Sequence, residues 1–549
     1  MKKFSLYALL CGLFWACGFP AAAADKPVAV ITLAGIDAIM SDVDYIGTVT
    51  NNPVVKGEKL EGVLLLPTNG IGLNAFDKSK PWGVAVFAAD GEYYGIGMLP
   101  IKSLDDLMTA TKNFVQGPTD EGNGVQSVQL QNGATLMIKE VTGYLFISDK
   151  AEHLADLPAD PVALLGTLPK EYDFGMRGFM QNVPEKDREE IVSQLKIGMD
   201  QSLQQREGED DNAFELRKKY VEKMSADFEQ AVNELETITI GLNIDSAKRA
   251  AYLDFAATAK PGSKSAQQAA TLVNVTSLFT GFINPDAGIT GNMSSQLSSE
   301  DIETASMLIK SGSEALKKEL EKDGELSEDK LAMAKEIVNE LVEVAIKTVQ
   351  GGQLDTAGNV AMGEKSLSVA LAGLVADGTA VENVVKKVVD FAKEDITDVK
   401  LNSETYKDVR FHSLGIPLPE PELQDVFGEN MPIVVGIGPK AVYLGVGKDG
   451  AKLIKEGLDA SAAAGPKPVD PVAINSALTP VVTFAHSMKP DPMGEVLKET
   501  LSNSSGKDHV QFYIKAIPNG SQGRFQIDEG VIQLIGVGAS QAADLAPGL

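Results

Sequence analysis

Gly445-Val446-Gly447-Lys448-Asp449-Gly450 has the G-x-G-x-x-G spacing. In a nucleotide loop those glycines bring backbone N–H groups against a pyrophosphate at a helix N-terminus. Here the strand pattern ahead of the motif belongs to a meander rather than to the first strand of a βαβ unit. The corresponding joint earlier in the chain, Ile147-Ser148-Asp149-Lys150-Ala151-Glu152, has no glycine. The motif therefore reads as a tight strand-to-helix turn. Asp42-Val43-Asp44-Tyr45-Ile46-Gly47 opens like a calcium loop, but Ile46 stands where the third oxygen ligand belongs and Pro53 where the bidentate Glu is required. It reads instead as a surface carboxylate pair near a helix or turn.

The four histidines, His153, His412, His486 and His509, are isolated and form neither H-x-x-x-H nor H-E-x-x-H. No G-x-S-x-G elbow offers an activated serine. A hydrolase would need His486 or His412 brought beside a serine and a carboxylate by the fold. The acidic run Glu207 to Asp211 reads as a solvated turn between helices, Asp160 and Asp470 as turn caps before proline, and Trp82 as packing. No catalytic, cofactor-binding or metal-ligating residue is assigned.

The elements that would position such groups show long-range similarity. Ala159-Asp160-Pro161-Val162-Ala163-Leu164 recurs as Val469-Asp470-Pro471-Val472-Ala473-Ile474. Upstream of each lies a strand, Tyr93 to Ile101 or Leu367 to Val375. Each strand leads to a capping box, Ser103-Leu104-Asp105-Asp106 or Thr379-Ala380-Val381-Glu382. A β-meander follows in each: Val125 to Leu130, Thr135 to Glu140 and Tyr144 to Ser148, then Asp398 to Leu401, Val409 to Leu414, Ile433 to Ile437 and Val442 to Val446. A short helix comes next, Lys150 to Leu157 or Ala451 to Leu458. Tyr172 to Met180 is matched as a strand with Val481 to Met488, and a strand pair closes each half: Thr237 to Ile244 with Arg249 to Ala257, and His509 to Ile517 with Gly523 to Ile527.

The second half carries an extra loop, Gly415 to Met431. Long helical pairs stand at different places, Glu185 to Gln205 with Asn212 to Glu236 late in the first half, and Glu300 to Lys322 with Ser327 to Gln350 early in the second. The Gly324 turn joins the second pair. The expected fold is α+β: a tandem duplication of an antiparallel sheet covered on one face by helices, with helical-hairpin insertions and domains at 25–275 and 276–549.

Ile36-Asp37, Asp44-Tyr45-Ile46-Gly47, Lys80-Pro81-Trp82-Gly83, Leu99-Pro100-Ile101 and Asn284-Pro285-Asp286-Ala287-Gly288-Ile289-Thr290 together carry a resemblance. Across most of its length the chain resembles secreted two-repeat proteins of unassigned function from planctomycete-type bacteria. The resemblance implies export and duplication, and no activity or site residues.

The first residues have the form of a secretory signal: Lys2 and Lys3, the apolar run Leu6 to Trp15, and Ala21-Ala22-Ala23-Ala24 ahead of Asp25. A lipoprotein cut at Cys17 fits less well, because Phe14 and Trp15 are poor occupants of the positions before it. Cleavage after residue 24 would remove Cys11 and Cys17, leaving no disulfide, thiolate nucleophile or Cys-based zinc site. The net charge of −27, or −29 without Lys2 and Lys3, opposes binding to nucleic acid. Lys317-Lys318 and Lys386-Lys387 read as solvated helix faces. The expected product is a periplasmic or extracellular, non-enzymatic binding or structural protein whose partner is a protein or cell-envelope component. A carrier of an apolar ligand and a hydrolase without a local motif are the alternatives.

Overall fold

The computed structural model describes residues 26–545, apart from 66, 90, 202, 206–210 and 324–325. The expected signal with Cys11 and Cys17, most of the acidic run from Glu207 and the Gly324 turn lie outside the described residues. The chain is 42% helix and 33% strand, and its ladders are antiparallel throughout the described registers, which makes it α+β. It divides into two compact units. One comprises Met1–Ile191, Val232–Ala259 and Gln526–Leu549, and the other Val192–Ala231 and Lys260–Phe525.

The first ten strands are β1 (Ala29–Leu33), β2 (Trp82–Ala89), β3 (Glu92–Pro100), β4 (Val115–Gly122), β5 (Val125–Leu130), β6 (Thr135–Val141), β7 (Tyr144–Ser148), β8 (Phe174–Phe179), β9 (Leu235–Asp245) and β10 (Ala250–Ala259). They pair in the order β4-β5-β6-β7-β3-β2-β1-β8-β9-β10. The connections hold α1 (Ile36–Val49), α2 (Gly57–Leu65), α3 (Leu104–Thr111), α4 (Leu168–Glu171), α5 (Glu185–Gln201) and α6 (Asp211–Glu234).

Successive residues of a strand point to opposite faces, and β7 uses both. Tyr144 and Phe146 enter one core with Val30, Met98, Leu154 and Leu168, while Leu145 enters another with Leu107, Val128 and Ile138. At the meander the sheet is thus covered on two faces, not on one as expected. The reason lies in α3, whose Leu104, Leu107 and Met108 bring an apolar stripe to the second face. Ser103 Oγ caps that helix by accepting from the Asp106 N–H at 3.2 Å.

In the remainder, α7 (Lys264–Ala270), β11 (Thr276–Ser277), β12 (Ile289–Gln296), α8 (Ser299–Asp323), α9 (Glu328–Gln350), β13 (Gln353–Gly363), β14 (Ser366–Leu374) and α10 (Gly378–Phe391) come first. β15 (Thr397–Tyr406), β16 (Val409–Pro417), α11 (Pro421–Phe427), β17 (Asn430–Ile437), β18 (Ala441–Val446) and α12 (Gly450–Ala464) follow. The chain continues through β19 (Lys467–Pro468), β20 (Val472–Ala477), α13 (Leu478–Met488), α14 (Pro492–Ser502), β21 (His509–Ile517), β22 (Gly520–Asp528) and α15 (Glu529–Leu545). The second sheet runs β15-β16-β17-β18-β14-β13-β12-β20-β21. Taken strand for strand, this is the order β4 to β9 of the first. Its core packs Phe279 and Phe282 against Tyr443 and Ile454 of β18 and α12.

Three expectations need correction. Val481 to Met488 is helical, within α13, and the strand that pairs as β8 does is β20. Pro480 suits the first helical turn, where its missing N–H has no partner to lose, and this outweighed a β-branched run. The two Asp-Pro motifs share a connection but not a place in it. Asp160 caps a short 3₁₀ turn through the Val162 N–H, ten residues and more ahead of β8, whereas Asp470-Pro471 runs directly into β20. Finally, the long pairs do stand late in the first half (α5–α6) and early in the second (α8–α9), but they are not unmatched: the shorter pairs α13–α14 and α1–α2 occupy the corresponding connections.

Candidate functional site

Most of the polar clusters in the fold are internally occupied. In the glycine motif, the Gly447 N–H donates to Pro432 O, the Asp449 N–H to Ser368 Oγ and the Gly450 N–H to Gly447 O, at 2.9–3.1 Å. A phosphate would need those same donors. The turn brings β18 against the start of α12, as the sequence implied.

The histidines are largely enclosed. On β7 and the turn after it, Ser148, Asp149 and His153 come together, with the imidazole stacked on Tyr94 at 3.9 Å. Ser148 Oγ and Asp149 Oδ1 both approach the same nitrogen, His153 Nδ1, at 3.1 and 2.9 Å. A catalytic serine and its orienting acid need opposite nitrogens of the ring; here Nε2 is buried without a partner. The four-residue spacing of Asp149 and His153 was the available sequence signal for this cluster. His412 on β16 is buried and lies 3.9 Å from Glu382 of α10, and burial holds its pKa down. His486 of α13 meets Glu495 of α14 at 3.2 Å. His509 Nε2 lies 3.2 Å from Pro285 O. Among the described residues, no serine is hydrogen-bonded to either of the two histidines, His486 and His412, named for a hydrolase. Among the described residues no group of three or more His, Cys, Asp or Glu could hold a metal ion.

Of the carboxylate pair, Asp44 is exposed but Asp42 is half-buried. It sits mid-helix in α1 with its carboxyl against that of Asp173, just before β8, and its Oδ2 is buried without a donor. Asp173 keeps the Ile244 N–H at 2.6 Å. Burial, then the Asp173 charge and the hydrogen bond to it, push Asp42 up to about 7. One turn on, Tyr45 donates to Glu529 at 2.9 Å, and Glu529 also takes Arg249 at 2.8 Å.

The least satisfied surface is apolar. In the first sheet, register places Val84, Ile31, Met176, Ile240 and Phe255 in one row across five strands. Phe174, Leu242 and Leu253 form the adjacent row. Phe174, Ile238, Leu242 and Phe255 are each more than a third exposed, Phe255 reaching 48%. In the second sheet the row is Leu444, Leu371, Gly358, Gly291, Ile474 and Phe512 across six strands. Ile474 is 52% exposed, with Met293, Leu371 and Ile289 close behind. A Cβ at Gly358 would lie 2.4 Å from Leu371 Cδ2, so only glycine lets that leucine lie flat on the sheet. In β12 the buried residues are the polar Thr290, Asn292 and Ser294, and the apolar Ile289 and Met293 point outward. Neither β12 nor β20 was assigned from the sequence, because alternation alone would place the apolar set on the core side.

A small pocket of about 170 Å³ lies on the other face of the first sheet, lined by Val30, Leu165, Leu168 and Phe179 with Arg177 at its edge. Arg177 is held there by Thr239 and Glu171. No described helix is long and apolar enough to cross a membrane. Comparison with protein-family models, curated proteins and solved structures finds no match to this chain.

Proposed function

We propose that the chain is an exported, non-enzymatic binding protein of the periplasm or cell envelope, and that it recognises its partner through the open apolar face of each sheet. The observation that carries this reading is the exposed row Leu444, Leu371, Ile474 and Phe512, with its counterpart from Phe174 to Phe255. Contiguous exposed apolar surface on a soluble fold marks a place where something else docks. The engagement of the histidines and of the glycine-motif donors inside the fold supports binding over catalysis.

Tandem duplication of one α+β unit belongs to the same proposal, as does kinship with secreted two-repeat proteins of planctomycete-type bacteria. The shared strand order and the helical pairs at matching connections support duplication. Two related faces on one chain raise avidity for a partner, a protein or another envelope component, that engages both. A second reading, a carrier of an apolar ligand, draws on the pocket beside Val30, whose about 170 Å³ suits a single ring or a short acyl group.

Cross-linking pull-downs from native envelope fractions test the main reading. Ile474→Glu with Phe512→Glu should remove the partners captured by the unaltered protein while melting stays unchanged. Capture of the same partners by the doubly substituted protein would overturn it.

A further inference from the structure

We propose that the Asp42–Asp173 carboxyl pair is a proton-operated latch that fastens α1 to the sheet when protonated and releases it as the pair loses its proton. The two carboxyl groups meet between the middle of α1 and the segment entering β8. Two ionised carboxylates in contact repel each other, whereas one proton between them makes a short, charge-assisted hydrogen bond.

The surroundings decide which of the two holds the proton. Burial raises Asp173 too, but this carboxyl accepts from the Ile244 N–H at 2.6 Å, which favours its ionised form. Asp42 Oδ2 is buried with no donor, so the neutral acid belongs there. The other charged groups at this seat are Asp245 at the end of β9, with Lys248 on it at 2.6 Å, and Glu529 of α15 with Arg249 on it at 2.8 Å. From α1 itself, Tyr45 is spent on Glu529 and Asp44 accepts from the Gly57 N–H at 2.9 Å. Both nearby cations are thus bound to other carboxylates, and burial together with the neighbouring Asp173 governs the ionisation of Asp42.

The latch has a second half in the same helix. Tyr45 lies one turn beyond Asp42 and binds Glu529 at the head of α15, and Gly536 of α15 then passes close against Thr50. This second contact does not depend on the Asp42 proton, so loss of that proton should loosen α1 without unfolding the unit. The sign follows from linkage. Asp42 stands at about 7 in the fold against 3.8 free. The folded state therefore holds the extra proton between those values, and its stabilising effect is lost as pH rises through that window.

Hydrogen exchange of the full chain tests the latch, read as protection of Ile36–Val49 at about pH 6 and about pH 8.5 after correction for intrinsic exchange. Protection should fall by roughly tenfold or more at the higher pH. In Asp42→Asn the introduced amide donates to Asp173 at either pH, so protection should be the same at both. Asp173→Asn is the second variant, because its amide can donate to an ionised Asp42 and still accept from Ile244. The infrared carbonyl band of a protonated carboxyl should be present at the lower pH, weaken at the higher one and be missing from Asp42→Asn. Equal protection of the unaltered protein at both pH values, or a pH response that persists in both variants, would overturn the proposal.

Discussion

Glu382 of α10 is nearly enclosed yet keeps its charge. Lys386 at 2.7 Å and the Arg410 guanidinium hold its carboxyl below the usual range against the cost of burial. His412, beside it, is pushed the other way by burial and stays neutral in the fold. Its folded pKa lies below 6.5, so the unfolded chain takes up the proton first and stability falls as pH drops below about 6.5. Glu382 adds loss at still lower pH, once acid reaches its depressed pKa. His412→Gln should therefore flatten the upper part of the acid-unfolding curve and leave partner capture unchanged. Glu382→Gln should cost about 1–3 kcal/mol near neutrality, discounted because Arg410 and Lys386 remain partly exposed. Urea midpoints against pH measure both. The opposite response, a gain in stability on acidification below pH 6.5 that His412→Gln removes, would show the sign to be wrong. Glycine can be decisive at the same scale. A Cβ on Gly47 would lie 1.8 Å from Val55 O, where the chain turns back from α1 toward α2. Gly47→Ala should cost about 1–3 kcal/mol or more, read as a lower melting temperature.

At the scale of elements, much was legible because it is written in local chemistry. Ser103 caps α3 as the S-x-x-D pattern implies, and the long helical pairs follow their apolar stripes to within a few residues of Glu185–Gln201, Asp211–Glu234 and Glu328–Gln350. What failed depended on tertiary context. A similar-looking box at Thr379 is not the cap of α10. Asp377 is, accepting from the Thr379 and Ala380 N–H groups at 2.8 and 3.2 Å. The run after β20 has strand-forming residues but lies in α13, since the six residues of β20 already fill the ladder with β12 and β21. Likewise Asp42 was singled out without its partner Asp173. Asp42 and Asp173 are 131 positions apart in the sequence, and no spacing rule connects a helix residue to one entering a strand. The cap gives a direct comparison. Asp377→Ala should cost about 1 kcal/mol, the usual loss for an N-cap, whereas Thr379→Ala should fall within a few tenths. Equal costs by urea unfolding would return the cap to Thr379.

At the scale of the whole molecule, the two sheets share a strand order that the short motifs do not follow position for position. The Asp-Pro motif shifts within its connection, while the strand order does not. Connectivity also shows that a cut between residues 275 and 276 would not leave each unit with all of its own chain. Residues from Gln526 onward belong with the first unit, where Glu529 binds Tyr45 and Arg249 and Gly536 packs on Thr50. The first 275 residues alone would therefore lack both the acceptor for Tyr45 and the partner of Arg249. Leaving the half-buried Tyr45 hydroxyl without its acceptor costs about 1–3 kcal/mol, and α1 would also lose the close approach of Gly536 to Thr50. A chain ending at Phe525 should show the same defect with its second unit otherwise complete. We expect that truncation to lower the stability of the first unit by about 2–5 kcal/mol and to remove hydrogen-exchange protection from Ile36–Val49. An added peptide spanning Gln526 to Leu545 should restore protection in proportion to its concentration, as any segment that binds only the folded state must. Protection of α1 at its full-length value in the chain ending at Phe525 would mean that α15 is a passenger on the first unit rather than part of it.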